Sequence, residues 1–418
     1  MKYLLMFLLF QFHFSFSIIK IPLELIKSEE KNYNFEKDTL YLNFSTNFEI
    51  GNPKQIIKSR ITMNEYSFYI FENKSYNSLL SKTYKKIKEE ELNIKYEDYS
   101  SGIFSSDNII LFDNKEKKIN LENFKFMLAT KNVFDKEIKS MIIGFKNMDL
   151  FKTKERNFIY ELKNLNIINS YVFTIKFQEN NKGEILIGKN PDEYDSNYLS
   201  KNFIYTKVET DAYQKYWQFT FDNIYSDKDE IDNNILIKFS FDYGVIISNK
   251  YYNNFIQSKF FSVYIKNGIC QLNYTNNKEL FYYSCFDDVN ITNFPQLKFY
   301  NKILNFTFQF DYKDLFIKVN NKYYFLIVFQ LNGLKWILGT PFMKKFQMVF
   351  DQDREIIGFY TSINDKKFFG FFQILSLFFL FIIIILSFLY FRLLFKKTKK
   401  IRANELDENF DYTPHLLQ

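Results

Sequence analysis

Residues 235–248 read Ile235-Leu236-Ile237-Lys238-Phe239-Ser240-Phe241-Asp242-Tyr243-Gly244-Val245-Ile246-Ile247-Ser248. A mostly apolar run enters a tripeptide of turn formers and a second apolar run leaves it, which places an aspartate on a tight turn between buried strands. Alone, Asp-Tyr-Gly is an ordinary turn; its flanks set it apart. A second turn of similar flavour, Trp336-Ile337-Leu338-Gly339-Thr340-Pro341-Phe342, comes late in the chain, followed by Val349-Phe350-Asp351 and Ile356-Ile357-Gly358-Phe359.

Outward from these turns the pattern keeps a period of two. Trp217, Phe219 and Phe221 alternate with Gln218, Thr220 and Asp222; Leu304, Phe306, Phe308 and Phe310 alternate with Asn305, Thr307 and Gln309; Tyr171, Phe173, Ile175 and Phe177 repeat it. Such alternation predicts half-buried strands, and breaks such as Glu179-Asn180-Asn181-Lys182-Gly183 separate them. The expected class is all-β, with short helices at most.

Composition narrows the functions. The chain has 418 residues, 47% hydrophobic and 25% charged, and its 21% aromatic content is roughly double the usual load. With 11 Gly and 6 Pro it is neither collagen-like nor intrinsically disordered. Two Cys allow no disulfide framework and no Cys-rich zinc site. The two histidines, His13 and His415, lie outside the central region, so metal or nucleophile chemistry based on histidine is excluded there.

Both termini carry targeting signals. Lys2 precedes an apolar run from Leu4 to Phe16, and Ser15 and Ser17 form a cleavage pair, so residues 1–17 read as a signal peptide. Residues 368–391 hold no charge and only Gln373, Ser376 and Ser387 as polar members, which reads as a transmembrane helix. Arg392, Lys396, Lys397, Lys399, Lys400 and Arg402 follow at once and place the tail, 392–418, in the cytosol. The expectation is a single-pass type I membrane protein of the secretory pathway or cell surface. The tail carries six basic and four acidic residues and Lys2 leaves with the signal, so the formal +7 falls to about +4 for the rest, and no nucleic-acid footprint remains.

A lumenal chain meets glycosylation and oxidation. N-x-S/T sequons occur at Asn43, Asn73, Asn273, Asn290 and Asn305. In such a compartment Cys270 and Cys285 are expected to form a bridge, and closing so short a loop contributes roughly 3 kcal/mol by the chain-entropy estimate.

The blocks around both turns resemble the pepsin-like aspartic protease family. The second-lobe signature matches at Asp242-Tyr243-Gly244, Trp336 to Phe342, Val349 to Asp351 and Ile357 to Tyr360. In the first lobe, Phe48-Glu49-Ile50-Gly51-Asn52-Pro53-Lys54-Gln55 resembles the family's opening, Ile94 to Gly102 its flap hairpin, and Met141-Ile142-Ile143-Gly144-Phe145 its first apolar-apolar-Gly turn. The resemblance spans about Leu40 to Tyr360. It implies a two-lobed fold of acid-protease barrels, with an N-terminal lobe over 40–190, a C-terminal lobe over 191–365, and a leader or short propeptide at 18–39. It also implies a peptide or protein ligand, no cofactor and no metal, Asp242 as a retained catalytic residue, and Tyr96, Ser100 and Gly244 as substrate-binding residues. The family's usual bridge joins a Cys at the position of Cys285 to a later one, which this chain lacks.

Counted from Gln55 by the family's spacing, the first catalytic motif falls on Thr62-Met63-Asn64-Glu65, so Thr62 stands at the position of the missing aspartate. Tyr243 replaces the small hydroxyl residue of the second motif. Aspartic proteases need two carboxylates close enough that only one ionises, one acting as base and the other as acid. The leading expectation is therefore a membrane-anchored, catalytically impaired homologue that binds peptide or protein. Two alternatives stand beside it: an active endopeptidase in which Glu65 supplies the second acid, and a receptor or adhesion ectodomain with a vestigial cleft.

Overall fold

The computed structural model describes residues 17–25, 33–72, 76–90, 102–129, 141–147, 157–178, 182–210, 215–331, 335–361, 378–379 and 381–396. Met1–Ser362 forms one compact unit and Ile363–Gln418 a second. In the second unit residues 381–396 are helical, with apolar side chains such as Phe388 and Phe395 exposed. Among the described residues no helix is long and apolar enough to cross a membrane; most of the run at 368–377 lies outside them.

Two sheets build the first unit, and the class is mostly β. Among the described residues the first sheet has thirteen strands, in the order Phe203–Lys207, Ile356–Tyr360, Met348–Asp351, Val172–Phe177, Lys182–Ile187, Ile19–Leu25, Phe44–Ile50, Gln55–Thr62, Met141–Gly144, Phe68–Phe71, Lys118–Ala129, Gly102–Asp113 and Lys85–Glu90. The second has eleven and is centred on Asp229–Phe239, Trp336–Leu338 and Ile246–Ser248. The first sheet thus borrows three strands, Phe203–Lys207, Met348–Asp351 and Ile356–Tyr360, from the stretch 191–365 read as the C-terminal lobe. Within the stretch read as leader or propeptide, Ile19–Leu25 is a strand paired with Lys182–Ile187, Phe44–Ile50 and Gly102–Asp113.

The period-two runs form strands, with two differences. Val172–Phe177 buries Val172, Phe173, Thr174 and Ile175 in succession. It has neighbours on both sides, and the Thr174 hydroxyl donates to Met348 O at 2.7 Å. The strand expected from Leu304 starts instead at Phe306. Asn305 has φ of 47°, a left-handed conformation that asparagine tolerates, so Leu304 and Asn305 belong to the turn.

Aromatic packing ties the two halves together. Phe173 stacks on Phe350 with centroids 4.8 Å apart, Trp217 lies edge-on to Phe350 at 5.1 Å, and Trp217 Nε1 donates to Phe145 O at 2.7 Å. All of these side chains are buried. Such pairs contribute about 0.5–1.5 kcal/mol each beyond their area.

Cys270 and Cys285 are bridged, directly opposite one another on the antiparallel strands Cys270–Tyr274 and Leu280–Phe286. On its other edge Cys285 faces Tyr323. An aromatic ring therefore occupies the place from which a later cysteine would have to bridge.

Candidate functional site

Two matching turn assemblies meet between the sheets. In the first, Gln55–Thr62 runs parallel to Met141–Gly144 with Ile61 opposite Ile143, and Phe68 returns antiparallel opposite the same Ile143. In the second, Phe239 lies opposite Leu338 in parallel and Ile246 returns opposite Leu338. Ile61 and Phe68 therefore correspond to Phe239 and Ile246, and the loops between them are equally long. Three residues beyond Ile61 is Asn64; three beyond Phe239 is Asp242.

This register corrects the position of the missing acid. The equivalent of Asp242 is Asn64, and Thr62 is the equivalent of Ser240. Counting from Gln55 falls two residues short because the first strand runs two residues longer than the family's spacing. Contacts confirm the match. A Cβ added to Gly144 would lie 2.3 Å from Glu65 O, and one added to Gly339 would lie 2.3 Å from Tyr243 O, each the carbonyl following the acid position. Backbone this close excludes any side chain and accounts for glycine in both apolar-apolar-Gly turns. Likewise Asn64 N donates to Thr62 Oγ1 at 3.1 Å, as Asp242 N does to Ser240 Oγ at 3.4 Å.

Thr62 still touches the retained aspartate. Asp242 Oδ2 accepts from Thr62 Oγ1, Met63 N and Ser240 Oγ, each at 3.0 Å, while buried Oδ1 has no partner among the described residues. Burial raises the Asp242 carboxyl above its ordinary range, opposed by the charge of Arg60 and by the bonds from Thr62, Ser240 and Met63. Glu65 is not among these contacts of Asp242; its carbonyl accepts from Lys146 N at 2.8 Å.

Where the family carries an acid, Asn64 meets a cation. Lys238 Nζ donates to Asn64 Oδ1 at 2.9 Å and lies 3.9 Å from the Tyr216 ring centroid. Burial pushes its amine down to about 8, the Asp242 charge opposing while Lys146 and Lys335 add to the shift.

The stretch 33–42 is laid along the retained turn. Leu42 N donates to Asp242 O at 2.8 Å, Gly244 N donates to Leu40 O at 3.1 Å, and Tyr41 pairs with Tyr243. Phe35 anchors it between Tyr282 and Tyr324, with centroids at 4.1 and 5.5 Å. A Cβ on Gly244 would stand 2.0 Å from Thr39 O. Its counterpart in the other turn is Tyr66. Burial raises the Tyr243 phenol to about 12, so it stays protonated. Gly244 also lines a cavity of about 350 Å³ with Thr39, Leu42, Thr340 and Pro341.

Tyr96, Ser100 and Asn73 lie outside the described residues. Of the other sequon asparagines, Asn290 and Asn305 are exposed and Asn43 and Asn273 half-buried. Sequence reasoning missed Ser240, Arg60 and Lys238. Spacing could have found them, since residues two and four before a strand-end acid share its face.

Chemically the site brings together the Asp242 carboxyl, the Thr62 and Ser240 hydroxyls and the Asn64 amide. A threonine hydroxyl can orient water but cannot exchange a proton near neutrality, and loss of a general acid or base costs about 10²–10⁴ in rate.

Comparison with known proteins agrees with this architecture. The family model described as eukaryotic aspartyl protease matches residues 61–362. The crystal structure of basic 7S globulin from soybean is similar with a TM-score of 0.62 at 11% sequence identity, covering 83% of this chain and 96% of that one. No curated protein matches the chain.

Proposed function

The chain belongs to the eukaryotic aspartyl protease family, and on that premise we propose that it is a catalytically impaired member, anchored in a membrane, that binds peptide or protein ligands in a cleft between its lobes. One observation carries the reading: of the two equivalent acid positions in the paired turns only Asp242 holds a carboxyl, and the other is Asn64 bonded to Lys238. Without a like-charged neighbour the split titration that gives a dyad its separate acid and base does not arise. The buried Asp242 then serves as a hydrogen-bonding group, and the Gly144 and Gly339 turns, matched in the two halves, support the frame of a peptide site.

The apolar run 368–391 and the basic cluster from Arg392 support a single crossing with the tail in the cytosol. Exposed Asn290 and Asn305 and the Cys270–Cys285 bridge suit a lumenal first unit.

The test is digestion of a peptide library by the full chain, purified in detergent, at acid pH. No cleavage above background is expected. Cleavage that a pepstatin-type inhibitor blocks and that Asp242→Ala abolishes would return the active endopeptidase. For topology, protease treatment of sealed vesicles is expected to trim only the tail.

A further inference from the structure

The charge distribution of the same floor goes one step beyond the peptide-binding reading, on which it rests. Arg60 stands four residues before Asn64 and Lys238 four before Asp242, so the paired strands contribute one cation from each half. Strand alternation puts Arg60 on the face of Thr62 and Lys238 on the face of Ser240, the two hydroxyls that bond Asp242. Lys238 already crosses to Asn64, and the charges of Lys146 and Lys335 act on it. Arg60 has no ion pair among the described residues, and its buried Nε has no hydrogen-bond partner. Its charge acts on both Asp242 and Tyr243.

Two cations, one from each half, therefore act on one carboxyl whose ionisation burial opposes. A working dyad presents net negative charge to its ligand, whereas here Arg60 and Lys238 set two positive charges beside the one carboxyl. A half-buried guanidinium with an unused donor is costly unless an anion completes it, and the anion a peptide carries is a carboxylate, which matches the guanidinium fork.

We propose that this cleft selects acidic peptides, with a ligand carboxylate docked against Arg60 and Lys238.

The full chain in detergent is titrated at pH 6.5 with fluorescently labelled, amidated peptides that differ only by Glu or Gln at one position, and with the same peptides bearing a free C-terminus. At one position the Glu peptide is expected to bind about tenfold or more tighter than its Gln twin, with the difference shrinking as salt rises. A gain seen only with the free C-terminus identifies the terminal carboxylate as the docked group and equally supports the proposal. Arg60→Gln and Lys238→Gln are each expected to bring the Glu-over-Gln ratio toward one, while Arg60→Lys retains part of it. Equal binding of Glu and Gln peptides, amidated or free, would overturn the charge selection and leave peptide binding standing. Absence of binding by every peptide would remove both. The Glu and Gln twins are compared on the unmodified protein, so the result does not depend on a variant folding.

Discussion

The Lys238 ammonium donates to Asn64 Oδ1 at 2.9 Å, a bond from one paired turn to the other at the point where the family places its first catalytic acid. An acid introduced there would meet a lysine before it met Asp242.

Restoring the dyad is therefore expected to require two changes. Asn64→Asp alone would pair with Lys238 and stay ionised, leaving acid proteolysis at background. Adding Lys238→Gln frees the new carboxyl to share a proton with Asp242, and the double variant should cleave acid-range peptide substrates at least about tenfold faster than Asn64→Asp. Thr62→Asp puts its carboxyl at the equivalent of Ser240 and should remain at background. Initial rates with a quenched fluorescent substrate distinguish the three.

Acid should stabilise the fold through two buried carboxyls. Burial raises both Asp242 and Glu161 above their ordinary 3.8 and 4.5. The folded chain then holds those protons more tightly than the unfolded one. The stabilisation is complete below the ordinary carboxylate range and is lost as pH rises through the raised folded values. Lys238, lowered to about 8, acts in a separate window: its contribution rises only between about 8 and 10.5. Thermal midpoints of Asp242→Asn and Glu161→Gln, measured from pH 4 to 7, should fall less steeply with rising pH than those of the unmodified chain. Parallel slopes would remove these groups from the pH response.

The disulfide closes a loop of 15 residues, and Cys270→Ser with Cys285→Ser should cost about 3 kcal/mol. Denaturant unfolding measures the loss, and the unmodified native chain should yield no alkylatable thiol.

Glycine is indispensable at Gly339 and replaceable at Gly268. A methyl at Gly339 would stand 2.1 Å from Val245 O, whereas one at Gly268 meets nothing within 4 Å, and the positive φ of 70° there is one asparagine adopts. Gly339→Ala should lose about 1–3 kcal/mol or more, and Gly268→Asn should stay within about 0.5 kcal/mol. Comparable losses in the two variants would show that the close approach at Gly339 relaxes.

Much of this was legible in the sequence. The block from Trp336 to Tyr360 and the turn at Asp242 declared the second assembly, because closely packed glycine turns tolerate few residue types. The position of the absent acid was not legible. A strand lengthened by two residues leaves no mark in a spacing count, and only the pairing of Ile61 and Phe68 with Ile143 exposes Asn64 as the partner of Asp242. The floor cations were hidden differently: a lysine or arginine within an alternating strand reads as a solvated face until the opposite lobe covers it.

The strands Met348–Asp351 and Ile356–Tyr360 close onto Val172–Phe177 and Phe203–Lys207 in the first sheet. During synthesis that edge must wait, unpaired, until nearly the whole of the first unit has emerged. Contacts across so long a stretch of chain slow folding and prolong the exposure of apolar strand edges. The first lobe therefore cannot finish as an independent cotranslational unit, and a nascent chain truncated before Met348 should depend on chaperones and be cleared rather than accumulate.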